Sequence, residues 1–477
     1  MSTPSIIPGN QLADHPICTA QRALLINPPA PDFRLEWAHW HHPLGLELIG
    51  ALLAERGADV KLIDCLDTDK SRMPKQKVDA RTVEDYEFVR WSFGMPMSTL
   101  RMTLRKLKPW QPDMVMVTTL NSLWWRGAED AITAVRTVFP GVQVALGGMY
   151  PTYALDHAKQ YSSADWLVTG PVPEVAATKV QFRPKAPHRK SNGLLFYGEP
   201  AQGGKRKSPR LVEVVLDEII TLAKTGVREF VFFDERIHLE DRDAFANLLE
   251  TLAAAKLDVS FVLPGNVPPA LIDARVAQSL RPAGFKQVHL RCELNFTEYA
   301  ISYADGIDAY ADCVSHLVGA GRFHARYGDI SAMLVVGLPN ENLAGVSERL
   351  IQLSHVVGSV MLVPFQYVPH LHPQAIFQQA LSRDGNWGMD DFNSKLFPLP
   401  RLLGQPLEEY MELVRLAALL NSKYRSKSFD FLGDKLAARL FRQSLRSQGW
   451  NPFGAEPVSS GEEMTEIELT PAVRSQQ

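Results

Sequence analysis

Short runs of branched apolar residues alternate with stretches of helical period along most of the chain. The run ALLIN at 23–27 reads as a buried strand, stopped by Pro28 and Pro29. Across 44–56 the apolar positions Leu46, Ile49, Leu52 and Leu53 recur at helical spacing; Gly57 is placed to end that helix, and 60–64 returns to strand. After a less regular insertion over 68–110, the alternation resumes with a strand at 114–118, a helix at 127–138 and strands at 142–146 and 166–169. Strands parted by helix-length segments predict an α/β fold with a doubly wound parallel sheet, covered on both faces. Ligands of such sheets lie at the carboxyl ends of the strands, here 27–45, 118–125 and Gly147-Gly148.

Residues 181–191, QFRPKAPHRKS, are rich in proline and positive charge and lack apolar period, so they read as a linker, with a boundary near 185. A second alternation follows, with strands at 194–197, 229–233, 259–262, 287–291, 331–336 and 359–364 and helices at 211–224, 242–255, 269–280, 308–320 and 343–355. These repeated β/α units predict a partial (β/α)6 barrel, a second open sheet being the alternative. The pattern turns helical after 380, notably at 407–424 and 434–445. From 451 the tail is too polar to order itself. The expected division is 20–180, 190–380, a helical appendage over 381–450 and a disordered tail over 451–477.

Composition narrows the function classes. The chain has 477 residues, 45% of them hydrophobic and 22% charged, as in an ordinary soluble protein. A net charge of −3 gives no case for nucleic acid or an anionic membrane as partner, and the short basic run Lys205-Arg206-Lys207 beside two glycines reads as a solvated loop. The N-terminus lacks the basic start and apolar core of a signal peptide, and no stretch has the ~20 apolar residues of a spanning helix, so a cytoplasmic location is expected. Cys18, Cys65, Cys292 and Cys313 are scattered, which fits neither a disulfide scaffold nor a zinc knuckle.

The motifs add a resemblance. ALLINPP at 23–29, PLGL at 43–46 and AERGADVKLID at 54–64 resemble, in that order, the N-terminal domain of cobalamin-binding radical S-adenosylmethionine enzymes. VQVALGG at 142–148 and ADWLVTG at 164–170 are similar to the later part of that Rossmann-like domain. The resemblance implies a corrin across the strand ends, near Asn27, Pro43 and Gly45, with Gly147 and Gly148 letting its nucleotide tail approach the backbone. Thr118, Thr119 and Ser122 either hydrogen-bond that tail or cap the next helix. The family's Asp-x-His-x-x-Gly loop is absent. His39, His41 and His42 stand in the corresponding loop, as cobalt ligands or, alternating with Trp37 and Trp40, as packing residues.

The second half is similar to the radical enzyme core. GVREFVFFD at 226–234, Glu293 after the fourth strand and GLPNE at 337–341 resemble its strand ends, which implies S-adenosylmethionine contacts at Asp234, Glu293 and Glu341, with Glu235 beside them. Surface or helix-capping roles are the alternative for each. Where that family carries Cys-x-x-x-Cys-x-x-Cys, this chain reads LFYGEPAQGG at 195–204, without a cysteine. Tyr197 and Glu199 would offer only hard oxygen donors, poor partners for an iron-sulfur cluster, so no cluster is expected. The resemblance therefore implies a cobalamin-dependent, non-radical enzyme acting on a small molecule, methyl transfer being favoured. A non-catalytic cobalamin-binding subunit of a partner enzyme, a carrier or a sensor is the alternative.

Overall fold

The computed structural model describes residues 4–33, 42–67, 73–170, 191–196, 209–234, 237, 241–297, 300–320, 323–324, 329–339, 341–367, 388–424 and 455–457. The first part comprises β1 (Ser5–Pro8), β2 (Arg22–Asn27), β3 (Ala30–Asp32), α1 (Leu44–Glu55), β4 (Asp59–Asp64), β5 (Lys75–Val83) and β6 (Tyr86–Phe93). It continues through α2 (Met97–Lys106), β7 (Met114–Thr119), α3 (Trp125–Val138), β8 (Gln143–Gly148), α4 (Met149–Tyr153), α5 (Leu155–Tyr161) and β9 (Trp166–Thr169). One parallel sheet runs in the order β1-β9-β8-β7-β2-β4. Its central strands β2 and β7 are almost wholly buried, which suits their near-continuous apolar runs. Leu24, Ile26, Val115 and Val117 pack with Leu100 and Leu104 of α2 and Ala128, Ile132 and Val135 of α3. The alternate residues Ala23, Leu25, Met114 and Met116 pack with Leu46, Ile49 and Leu53 of α1.

The second part comprises β10 (Ser191–Leu194), α6 (Val212–Lys224), β11 (Glu229–Phe232), α7 (Arg242–Ala255), β12 (Ser260–Val262), β13 (Pro264–Val267), α8 (Ala274–Ala283) and β14 (Val288–Leu290). Then come the antiparallel pair β15 (Leu294–Phe296) and β16 (Ile301–Tyr303), α9 (Ile307–Gly319), β17 (Ile330–Val336), α10 (Leu343–Val356) and β18 (Ser359–Pro364). The strands β10-β11-β12 and β13-β14-β17-β18 form parallel sheets in chain order. The chain is thus an α/β protein of parallel sheets and intervening helices.

Several boundaries differ from the sequence pattern for local reasons. The strand expected at 194–197 lies at Ser191–Leu194, three residues earlier. The helix expected from 269 starts at Ala274, because Pro269–Leu271 form a 3-10 turn and the Asp273 side chain caps the helix by accepting from the Val276 N–H at 3.0 Å. The 68–110 insertion holds the β5–β6 hairpin, which also pairs through β6 with β3. β1 joins the N-terminal sheet from residues before 20. The Leu407–Tyr424 helix lies where expected, whereas the one at 434–445 falls outside the described residues. Within the tail expected to be disordered, Ala455–Pro457 pairs antiparallel with Tyr86–Phe88.

The hairpin is what joins the parts. Val83, Tyr86 and Phe88, with Phe33, pack into the same core as Leu194, Phe232, Leu334 and Tyr410 of the second part. Glu84 at the hairpin turn accepts the Leu407 N–H at 2.8 Å, at the start of the C-terminal helix. That helix in turn holds β18, because the Asn421 amide exchanges two hydrogen bonds of 2.9 Å with the Val360 backbone. A strap preceding it, residues 388–402, docks on β3, the β5–β6 hairpin and the start of α3. Lys395 Nζ lies 3.0 Å from Asp32 Oδ2, the two residues being 3% and 1% exposed. Asp32 also accepts from Trp124 Nε1 (2.9 Å), Asn393 Nδ2 (3.1 Å) and the Phe33 N–H (2.7 Å).

A buried charge deprived of its partner is costly, so Lys395→Met is expected to lower stability by about 3–5 kcal/mol in urea unfolding. Adding Asp32→Asn, which neutralises the stranded carboxylate but keeps an acceptor, recovers part of that loss. A single-variant loss under about 1 kcal/mol, the range of exposed pairs, would contradict a buried strut.

Candidate functional site

The topology of the first sheet selects a crevice. From β2 the chain passes through α1 to β4 on one side, while β7 lies on the other, so the strand order reverses at β2. Ligands of open α/β sheets bind at the carboxyl ends beside such a switch point. Here these ends are Asn27 of β2, Thr118 and Thr119 of β7, and Gly147 and Gly148 of β8, which pair in register with the two threonines.

Most polar groups at these ends already serve the chain. The buried Asn27 amide donates to Asp64 Oδ1 at 2.7 Å. Thr119 Oγ1 accepts the Tyr150 N–H at 2.9 Å and donates to Gly147 O at 3.4 Å, while Ser122 Oγ donates to Met149 O at 3.3 Å. Neither caps the following helix α3, whose N-cap makes no side-chain hydrogen bond; both instead tie the turn after β8. Gly148 has φ +90°, and a Cβ there would stand 2.2 Å from Thr119 O, so the glycine is demanded by strand packing. Gly147 is different, since a Cβ would make only an ordinary 3.6 Å contact with Val168, and Gly45 in the first turn of α1, just after Pro43, has nothing within 4 Å. An added Cβ would thus be tolerated at Gly147 and would meet open space at Gly45 in α1.

Beside the switch point the strap supplies residues that sequence reasoning missed. Asp390 accepts from Arg126 at 2.7 Å, Arg90 at 3.2 Å and Trp125 Nε1 at 3.2 Å, and Asp391 pairs with Arg81. Burial alone would raise Asp390, yet the Arg126 hydrogen bond and the Arg90 charge hold it below the usual carboxylate range. A cavity of about 10 Å³, room for one water, lies among Asp32, Arg90, Arg126, Asp390 and Asn393. No sequence signal links these positions, which come together only through the strap. His157 Nδ1 lies 2.7 Å from the Tyr150 hydroxyl, in an aromatic group with Trp125 and Tyr161, and burial lowers the His157 pKa.

Of the loop histidines, His39 and His41 lie outside the described residues, as do Tyr197, Glu199 and Glu235. His42 is 5% exposed and reaches across to the second part, its Nε2 lying 2.8 Å from Asn192 Oδ1 and 3.2 Å from Glu47 Oε2.

The three acids expected to meet S-adenosylmethionine are not brought into one cluster with shared partners. The buried Asp234 accepts the Phe196 N–H with both oxygens at 3.0 Å, and Arg210 closes the same turn by donating to Leu195 O at 2.8 Å. Glu293 pairs with Arg291, and its N–H donates to Asp305 at 3.2 Å. Glu341 accepts the Gly337 N–H at 2.8 Å and the Tyr303 hydroxyl at 3.2 Å, closing its own loop at the end of β17. Burial pushes Glu341 up to about 7, against the hydrogen bonds from Gly337 and Tyr303. Burial likewise raises Asp305 and pushes the neighbouring Cys292 thiol up to about 11.

No protein-family model matches the chain. Over 133 residues it is 28% identical to the cytidylyl-2-hydroxyethylphosphonate methyltransferase of Streptomyces wedmorensis, a match covering 28% of this chain and 23% of that protein. The chain thus aligns with about a quarter of that curated relative. Its fold is similar to that of TsrM from Kitasatospora setae, a radical S-adenosylmethionine methyltransferase whose structure contains cobalamin and a four-iron, four-sulfur cluster. The TM-score is 0.54 at 15% identity, covering 76% of this chain and 78% of that one. The resemblance read from the motifs is borne out to this extent: similarity to methyltransferases of the cobalamin and radical S-adenosylmethionine kind. Among the described residues no helix is long and apolar enough to cross a membrane, and no group of three His, Cys, Asp or Glu side chains could hold a metal ion.

The Glu341 environment sets a pH dependence. Between about pH 4.5 and 7 the folded chain keeps a proton that the unfolded chain releases, so stability falls as pH rises through that window. Glu341→Gln removes this titration, and its stability relative to wild type is expected to improve by on the order of 2 kcal/mol between pH 4.5 and 7.5 in urea midpoints. A difference independent of pH would show that Glu341 titrates as an ordinary carboxyl.

Proposed function

We propose that this protein binds cobalamin at the carboxyl ends of its N-terminal sheet and serves methyl transfer to a small molecule without a radical-generating cluster. In this reading residues 20–180 form a Rossmann-like cobalamin domain, 190–380 a partial (β/α)6 barrel, and 381–450 a helical appendage. The observation that carries it is the reversal of strand order at β2, whose carboxyl end is the usual ligand crevice of such sheets, with Gly147 and Gly45 nearby leaving space for an added Cβ. Cobalamin bound there would supply a nucleophilic cobalt that takes up a methyl group and passes it on. The chain's own part is to hold that face: Asn27 ties the ends of β2 and β4, Thr119 and Ser122 fix the turn after β8, and Gly147 leaves the backbone approachable.

The donors for a cluster do not fit. Residues 195–204 contain no cysteine, and burial raises the pKa of each of the four thiols, which opposes the thiolate form a cluster needs. Asp234 and Glu341 already accept backbone N–H groups of this chain, so as contacts to S-adenosylmethionine they would act through their remaining lone pairs. The cysteine-free segment equally favours a second reading, a non-catalytic cobalamin carrier or subunit working with a partner enzyme.

Protein reconstituted with hydroxocobalamin and freed of excess is expected to keep a bound corrin spectrum. S-adenosylmethionine with a reductant then separates the two readings, since methylcobalamin forms only in the enzyme. Absence of bound corrin sinks both, and about four irons per chain after anaerobic reconstitution would overturn the cluster-less assignment.

A further inference from the structure

We infer that the strap, residues 388–402, occludes a ligand site at the carboxyl ends of β17 and β18, and that its polar contacts to the first part are the latch that keeps it there. The inference does not depend on the corrin reading above.

The strap has two faces. Toward the second part, Phe392 and Leu399 pack with Leu338, Phe365 and Tyr367, residues that follow β17 and β18. The Phe392 ring lies 5.6 Å from that of Tyr367. Gln366 Nε2 donates to Phe392 O at 3.0 Å and Gln366 Oε1 accepts the Ser394 N–H at 3.4 Å, so the strap backbone is pinned as well as its side chains. Phe397 takes a left-handed backbone, φ +47°, and lays its ring over Gly337, where a Cβ would stand 3.1 Å from it. Just beyond the strap, Gln405 Nε2 donates to Glu341 O at 3.1 Å. Ligands of parallel sheets bind at the carboxyl ends of the strands. At β17 and β18 that position is taken by the chain itself.

Toward the first part the strap turns polar side chains: Asp390 to Arg126 and Arg90, Asp391 to Arg81, and Asn393 and Lys395 to Asp32. A ligand at the strand ends can replace the apolar contacts of Phe392 and Leu399, but it does not replace this latch. The latch therefore sets how rarely the site is open, and the apparent affinity of any ligand there falls by that fraction. Its outer half is the weaker. The Arg126 side chain is 50% exposed, so water can take over its bonds to Asp390, whereas Asp32 and Lys395 are sealed.

The test compares the full wild-type chain with Asp390→Asn/Asp391→Asn, without corrin, by hydrogen exchange and by equilibrium dialysis with S-adenosylmethionine as the probe. The double variant leaves the Asp32–Lys395 pair intact and Arg90 beside Asp79 at 3.4 Å. Amides of 388–402 are expected to exchange about tenfold faster in the variant, those around Gly337, Leu338 and Phe365 accelerating with them as one unit while β2 and β7 stay unchanged. S-adenosylmethionine is expected to bind the variant at least about tenfold more tightly than wild type. Wild type in about 1 M NaCl, which screens the Arg126–Asp390 contact, is expected to shift in the same direction, so the latch is judged even where the variant folds poorly. Unchanged strap exchange in both would overturn the latch. Faster strap exchange with the probe bound equally by both proteins, or by neither, would overturn the occlusion. Either failure leaves the cobalamin reading standing, since no corrin is present.

Discussion

A carboxylate and an ammonium with almost no access to water must be satisfied by the protein, and the Asp32–Lys395 pair meets that demand only when the C-terminal strap lies against β3. Asp32 gathers four donors from β3, the turn before α3 and the strap, so its neighbourhood is specified from three directions at once. The rest of the connection follows in series. Asp390 and Asp391 dock on Arg90, Arg126 and Arg81, Glu84 caps the C-terminal helix, and Asn421 of that helix grips β18. The two sets of parallel strands are thereby held together by a hairpin that shares the second part's core and a strap that reaches back to the first.

This constraint bears on function because Asp32 follows β2, the strand at which the sheet reverses. The crevice is thus anchored on one side by the strap and on another by His42 against Asn192. Within it, hydroxyls and carboxylates are largely engaged in closing turns, and room remains at Gly45 and Gly147. The proposed corrin would lie against this face of engaged polar groups.

The parallel strands were legible in the sequence because burial on both faces leaves uninterrupted apolar runs, as in Ala23 to Asn27 and Met114 to Thr119. The hairpin was not, because β5 is exposed along nearly all its length and carries no apolar alternation. Asp32, Arg90, Arg126, Asp390 and Lys395 were equally silent, since charged residues far apart in sequence announce neither burial nor partner. The glycines were legible as a motif, but their separate roles needed geometry: Gly148 answers to Thr119 O, whereas a Cβ at Gly147 would only touch Val168. Asp234 and Glu341 stood out as acids at strand ends, and the N–H groups they hold at Phe196 and Gly337 have no signature in sequence.

The strand-order reversal at β2 is where the proposed corrin would bind. A crystal structure grown with hydroxocobalamin tests it most directly. Corrin density is expected across the carboxyl ends of β2, β7 and β8, over Gly45 and Gly147, with the Asp32–Lys395 pair intact. Density for the corrin elsewhere, or that crevice filled by the chain itself, would contradict it.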